Sequence, residues 1–336
     1  MTSKKITMED VAEESGISKT TVSYILNGKT ANFQISEATI RKVAETAIRM
    51  GYHTEKAKSA LAGLESIRTS ILVVSPWLYA QHSDFMVQIN RAFQEEERKS
   101  PVEFVYMQYR DGEIGKVLRP MVFSRYDAVF AIGSGKKDLE YLERHRENLS
   151  KVILLNRHAE GILSVSGNDR EASYRLAKKL CWAHTYDRFI VVADPGSWCS
   201  RFRKEGFVQA LSEEGQKCQV VDVWPYDATE ENFAELETML GERGMVFFTQ
   251  YYAAACFLIH RAHLVPRIGV ACYDEDRLIR RFLPKQLTSL DPQIAEMAHA
   301  ATDLAQKLKD GQPVAPVVVE AQLLAGETVD FGSILR

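Results

Sequence analysis

The sequence predicts two objects in series, a small all-α helix-turn-helix head and an α/β core of two doubly wound parallel-sheet subdomains. Three observations carry this. Residues 7–28 hold two short helical patterns broken by Ser15-Gly16-Ile17. A third helical pattern runs from Ser36 to about Met50. From Ile67 onward, short apolar runs alternate with amphipathic helical stretches, the βαβ order of parallel sheets covered on both faces. A chain of 336 residues has room for the head and about two further domains.

In the head, Thr7 is placed to cap the first helix, with Asp10 reaching back to it. Val11 and Ala12 supply the inward face, and Gly16 is placed for a positive φ. Ser18 caps the second helix, whose Val22, Ile25 and Leu26 follow helical spacing until Asn27-Gly28 stop it. Lys19, Thr20, Ser23 and Tyr24 are left outward, flanked by Ser18, Thr21 and Asn27. Short hydrogen-bonding groups and one cation suit phosphates and base edges, the profile of a helix that lies in a DNA groove. In the third helix Ile40, Val43, Ala44 and Ala47 share a face, and Gly51 ends it. The segment from Tyr52 to Gly63 has almost no apolar face and is expected to be only marginally helical alone.

In the core, strands are expected at 71–74, 102–107, 128–132 and 152–155, with a helix at 84–99. After Ser164, helices at 172–182 and 202–211 alternate with strands at 189–193, 219–223, 246–249, 268–271 and 287–289. A helix at 293–309 and one strand at 317–324 cross back between the halves. Such an order sets a cleft at the carboxyl ends of the strands.

Asp10-Val11-Ala12, Gly16-Ile17-Ser18, Thr21-Val22-Ser23, Leu26-Asn27-Gly28, Gly51-Tyr52 and Leu61-Ala62-Gly63 together resemble the lac repressor (LacI/GalR) family of bacterial transcription regulators. Val152 to Arg157, Asn168-Asp169, Arg203 to Phe207 and Tyr273-Asp274 extend the resemblance through the chain. It implies a periplasmic-binding-protein type I core and the following division: a DNA-binding domain at 1–53, a hinge helix and linker at 54–66, and an effector-binding and dimerisation core at 67–336. The first subdomain is then about 67–163 with 293–316, and the second about 164–290 with 317–336.

The resemblance makes Leu61 a lever that wedges into the minor groove when two copies meet on DNA, as apolar wedges do when they unstack a base step. The alternative is that Leu61 packs on its own chain. Lys58, where the family usually has alanine, joins the DNA-contacting set. Tyr24 replaces a base-reading arginine, and Thr54-Glu55 replace the Pro-Asn before the hinge helix. The loop from Lys29 to Ile35 is longer than usual, with Phe33 exposed or tucked against the third helix.

For the effector, the resemblance implies that Arg203 grips a ligand and Asp274 accepts from ligand hydroxyls. The alternatives are an ion pair of Arg203 with Glu205 or Asp169, and a helix-capping role for Asp274. Trp77, Tyr79, Phe85, Trp198 and Tyr251 fall in strand-to-helix loops, where aromatic faces sandwich rings. Ser134, in the strand-end loop Gly133-Ser134-Gly135, joins this set. Gln250-Tyr251 stand where many sugar-responsive members carry Asn-Asp, which removes a carboxylate from the expected clamp and argues against a common hexose.

The net charge is −3, and residues 1–68 hold ten Lys/Arg against eight Asp/Glu, a net of +2. So mild a charge implies weak non-specific DNA binding and reliance on dimerisation. No Gly-rich phosphate loop, H-E-x-x-H or G-x-S-x-G occurs, and the five cysteines form no C-x-x-C pair. No catalytic residue, metal or cofactor is therefore expected. The cysteine usage and the lack of an N-terminal apolar segment or membrane-length run point to the cytoplasm. The expectation is a homodimeric repressor on a pseudopalindromic operator, modulated by a small-molecule effector such as a sugar or related metabolite. The rival is a solute-binding or metabolite-sensing protein with no DNA role.

Overall fold

The computed structural model describes residues 6–30, 35–77, 84–222, 229–265 and 267–332, with backbone alone at 37, 62–67 and 84. Phe33 and Tyr79 lie outside the described residues.

The head comprises α1 (Met8–Ser15), α2 (Lys19–Leu26), α3 (Glu37–Met50) and α4 (Thr54–Ile67). The Thr7 amide donates to Asp10 Oδ2 at 2.7 Å and the Asp10 amide donates to Thr7 Oγ1 at 3.4 Å, so each residue satisfies the other at the start of α1. Gly16 (φ 67°) and Gly51 (φ 72°) terminate α1 and α3 in the left-handed region that a side chain resists. Val11, Val22, Ile25, Leu26, Val43 and Ala47 bury the three-helix core of the helix-turn-helix.

The segment after Gly51, expected to be marginal when alone, gains support inside the head. It forms a regular helix, α4, and Ala57 is fully buried, with Ala60 and Leu61 packed on the same head cluster. Residues 57, 60 and 61 recur at helical spacing, so three small contacts build a face. Tertiary packing rather than intrinsic propensity sustains a helix of this length.

The core runs β1 (Thr69–Ser75), α5 (Asp84–Lys99), β2 (Val102–Gln108), α6 (Pro120–Arg125), β3 (Ala128–Ile132), α7 (Lys136–Arg144), β4 (Val152–Leu155), β5 (Leu163–Gly167) and α8 (Asp169–Ala183). It continues with β6 (Arg188–Ala193), α9 (Trp198–Glu213), β7 (Cys218–Asp222), α10 (Glu230–Leu240), β8 (Gly244–Phe248), α11 (Tyr251–Arg261) and β9 (Gly269–Tyr273). The last elements are β10 (Thr288–Asp291), α12 (Ile294–Lys309), β11 (Val317–Val319) and β12 (Gln322–Leu324).

Two six-stranded sheets result, ordered β11-β5-β4-β3-β1-β2 and β12-β10-β9-β8-β6-β7. Alternate residues of β6 serve opposite faces. Phe189 and Val191 pack with Ala172, Leu176 and Phe207 of α8 and α9, while Ile190 and Val192 pack with Phe233, Ala254 and Phe257 of α10 and α11.

The expected subdomain boundaries shift in two places. β5 pairs parallel with β4, so the chain leaves the first sheet after Gly167 rather than at residue 163. The single strand expected at 317–324 is two strands. β11 pairs parallel with β5, and β12 pairs antiparallel with β10, so this stretch leaves the first sheet at Val319 and joins the second at Gln322. Glu320 and Gln322 mark the change of sheet only faintly, because each strand is three residues long and lies at a sheet edge.

Candidate functional site

On the head, α2 presents the exposed Lys19 and Thr20, with Ser23 and Tyr24 half-buried. Ser18 caps it, its Oγ accepting the Thr21 amide at 3.2 Å. Lys19 forms an ion pair with Glu9 of α1, and that ammonium holds the Glu9 carboxyl below its usual range. The Asn27 amide is committed within the head: Nδ2 donates to the Ser23 carbonyl at 2.9 Å, and Oδ1 accepts from Lys56 Nζ at 2.9 Å. Asn27 thus ties the end of α2 to α4. Lys58 pairs with Glu55 at 3.1 Å. Leu61 is half-buried against the head's own apolar cluster, which is the alternative weighed against a lever.

In the core, a cavity of about 740 Å³ opens between the two sheets, within the size range of small-molecule sites. The residues that follow four strands line it: Asn156 and Arg157 after β4, Asp194 after β6, Gln250 and Tyr251 after β8, and Asp274 and Glu275 after β9. Phe85, Ser134, Trp198 and Arg203 also line it, as does Trp77.

Arg203 is 4% exposed and already satisfied by protein groups. Its Nε donates to Asp169 Oδ1 at 3.0 Å, and Nη1 donates to the Thr249 carbonyl at 2.8 Å. Asp274 accepts from Nη1 at 2.6 Å and from Nη2 at 2.9 Å, and the Tyr273 ring lies 3.9 Å from the guanidinium. Burial raises the Asp274 carboxyl pKa while Arg203 opposes that rise. Glu205 takes no part; it lies near Arg201, at 3.9 Å. Nor does Asp274 cap the turn after it, since Asp276 Oδ1 accepts from the Leu278 and Ile279 amides.

The arginine is placed by Gly206, one turn later in α9. A Cβ there would lie 2.0 Å from the Arg170 carbonyl, so only glycine lets α8 and α9 approach and brings Asp169 to Arg203. Gln250 Nε2 donates to Asp194 Oδ2 at 2.8 Å. Tyr251 is 2% exposed, and its hydroxyl is buried without a partner, as is Glu275 Oε1. Glu275 Oε2 accepts from Arg280 at 2.8 Å and from Ser289.

Contacts among the described residues cross the cleft. Gln88 Nε2 donates to the Glu275 carbonyl at 2.8 Å, Arg157 Nη1 donates to Cys199 Sγ at 3.3 Å, and Trp198 packs on the apolar cluster of the first sheet. Sequence reasoning missed Gln88, Asp194 and Cys199 as cleft residues. For Asp194 the signal was available, because it directly follows a strand as Gln250 nearly does.

Two family models match the chain: "Bacterial regulatory proteins, lacI family" over residues 7–55, and "Periplasmic binding protein-like domain" over residues 179–329. The fructose operon regulatory protein of Vibrio cholerae is 24% identical over 310 residues, covering 89% of this chain and 93% of that protein. The sucrose operon repressor of Klebsiella pneumoniae is 23% identical over 332 residues, covering 94% and 96%. Among solved structures, the lac repressor dimer bound to operator and the anti-inducer ONPF superimposes with a TM-score of 0.67 at 19% identity, covering 97% of this chain and 99% of that one. The CelR–cellobiose complex gives 0.60 at 17% identity, covering 97% and 100%. The lacI-family model thus matches the head alone, while 23–24% identity to these operon regulators extends the similarity along nearly the whole chain, capped helix-turn-helix and two-sheet core together.

Proposed function

We propose that the protein is a sequence-specific DNA-binding transcription repressor, acting as a homodimer, whose operator affinity is set by a small molecule in the core cleft. The observation that carries this is one chain holding both a helix-turn-helix with a polar outer face on α2 and a large cleft at the strand ends. The lac repressor structure, a dimer on its operator, and the cellobiose complex of CelR support the same division of labour.

Lys19, Thr20, Ser23 and Tyr24 face the groove, Thr7, Ser18 and Thr21 flank them, and Lys58 meets phosphate. Asn27 acts at one remove, since its amide is spent on Ser23 and Lys56. Leu61 serves as the central wedge after leaving its contact with the head cluster. Phe85, Ser134, Trp198, Gln250 and Tyr251 contact the effector, with Arg203 and Asp274 as a preformed pair at the base of the cleft; Tyr79 is retained from the sequence. Exposed Val87 on α5 and Ile259 on α11, with Leu278 and Phe282, form the dimer face. An effector shifts operator affinity only as far as it distinguishes two states of the cleft.

We assign the cleft to binding rather than turnover, in keeping with a family of regulatory proteins. Among the described residues no helix is long and apolar enough to cross a membrane; binding to DNA supports a cytoplasmic protein. Selection of bound duplexes from a random pool tests the reading. A pseudopalindrome, bound more weakly by Leu61→Ala, is expected. Enrichment of nothing, with and without a metabolite extract, would contradict it and favour the metabolite-sensing rival.

A further inference from the structure

The cleft holds two buried guanidinium groups in opposite situations. Arg203 has two carboxylates. Arg157, 8% exposed, has none among the described residues. Its Nη1 donates to its neighbour's carbonyl, Asn156 O, at 2.7 Å and to Cys199 Sγ at 3.3 Å, and its Nε is buried without a partner. The Trp77 ring covers one side at 5.5 Å. Cys199 does not supply the missing charge, because burial pushes its thiol up to about 11 and keeps it protonated at neutral pH.

A desolvated cation with no counter-charge is costly to hold. The chain nevertheless directs one into the cleft from Asn156, itself at φ 53°, a conformation that side chains rarely adopt. The fork of a guanidinium matches the paired oxygens of a carboxylate or phosphate. Elsewhere in the cleft, Asp194 and Gln250 hold each other and leave acceptor positions for hydroxyl donors.

We propose that the effector is a polyhydroxylated anion, a sugar acid or a sugar phosphate, whose oxyanion docks on Arg157 while its hydroxyls reach Asp194 and Gln250. This rests on the reading of the cleft as the effector site. It also accounts for the Gln250-Tyr251 pair, because the ligand charge is met on the first sheet's side, away from the clamp that neutral sugars are expected to use.

The test titrates the full chain with glucose, glucuronate, glucose 6-phosphate and inorganic phosphate at constant ionic strength, read by calorimetry and by the fluorescence of Trp77 and Trp198. At least one of the two sugar anions is expected to bind tenfold or more tightly than glucose, and the preferred one distinguishes carboxylate from phosphate. Saturable binding of inorganic phosphate is expected if phosphate is the source. Arg157→Gln should erase the preference and Arg157→Lys should keep part of it. Without ligand, Arg157→Gln should unfold at the same temperature as the parent or higher, since it removes an unpaired buried charge.

A preference that survives Arg157→Gln, or a variant several degrees less stable without ligand, would overturn the proposal. So would saturable binding of none of these probes. Tight glucose binding that releases DNA and ignores Arg157→Gln would overturn it too, while leaving the effector reading of the cleft intact.

Discussion

Asp274 holds both terminal nitrogens of Arg203, at 2.6 and 2.9 Å, with Asp169 closing the third side at 3.0 Å. The cleft thus carries its principal ion pair ready-made, between Asp274 after β9 and Arg203 in the first turns of α9. A ligand here competes with a bidentate contact rather than with water alone.

Breaking that pair from the acid side should be expensive. Asp274→Ala leaves a buried guanidinium with one carboxylate, and a loss of about 3 kcal/mol is expected, at the low end for a buried pair because Asp274 is one-third exposed. Urea unfolding of the variant checks it through a lower midpoint at unchanged slope.

Gly206→Ala should destabilise by about 2 kcal/mol or more, because its methyl meets the Arg170 carbonyl at 2.0 Å and backbone cannot yield as a side chain does. The same variant should loosen the Asp169–Arg203 contact. The readout is a lower urea midpoint with weakened ligand binding, against Gly215→Ala, where nothing lies within 4 Å and only the left-handed φ is strained.

On the head, Glu9 holds Lys19 in an ion pair, so the proposed phosphate contact of Lys19 would have to displace it. Glu9→Gln is expected to tighten binding to any duplex severalfold at low salt, whereas Lys19→Ala weakens it uniformly and lowers the salt slope by about one. Tyr24→Arg should instead change which sequence is selected. Anisotropy titrations across salt concentrations separate these behaviours.

The buried thiols make stability fall at alkaline pH. Burial pushes Cys181 and Cys199 up to about 11, and Cys272 well above its ordinary value. Below about 8.5 folded and unfolded chains both keep these protons; between about 8.5 and 11 only the unfolded chain releases them, so rising pH favours unfolding. Thermal midpoints measured from pH 7 to 10.5 should hold level and then drop, more shallowly in Cys181→Ala.

Much of this was legible in the residues because local rules and global fold agree. Thr7, Gly16, Ser18 and Gly51 announce caps and left-handed stops that the structure realises, and the strands and helices expected from 71 to 309 occur in order, although β5, α6, α7, α10 and α11 were not read. The change of sheet between Val319 and Gln322 was not legible, since three-residue edge strands carry no period long enough to divide. Nor was the anchoring of α4, whose buried face is mostly alanine and gives little amphipathic contrast. Arg203 was visible from its motif, but its closure by Asp274, 71 residues later, is a tertiary fact. That no described carboxylate reaches Arg157 is likewise invisible in sequence, because it is a tertiary fact.

The most direct test of the central claim is the affinity of the full chain, at 0.15 M salt, for its selected pseudopalindrome and for a shuffled duplex of the same composition. The account predicts a preference of about 10³-fold or more, with binding of two chains per duplex. Equal affinity for the two duplexes, at any protein concentration, would contradict it.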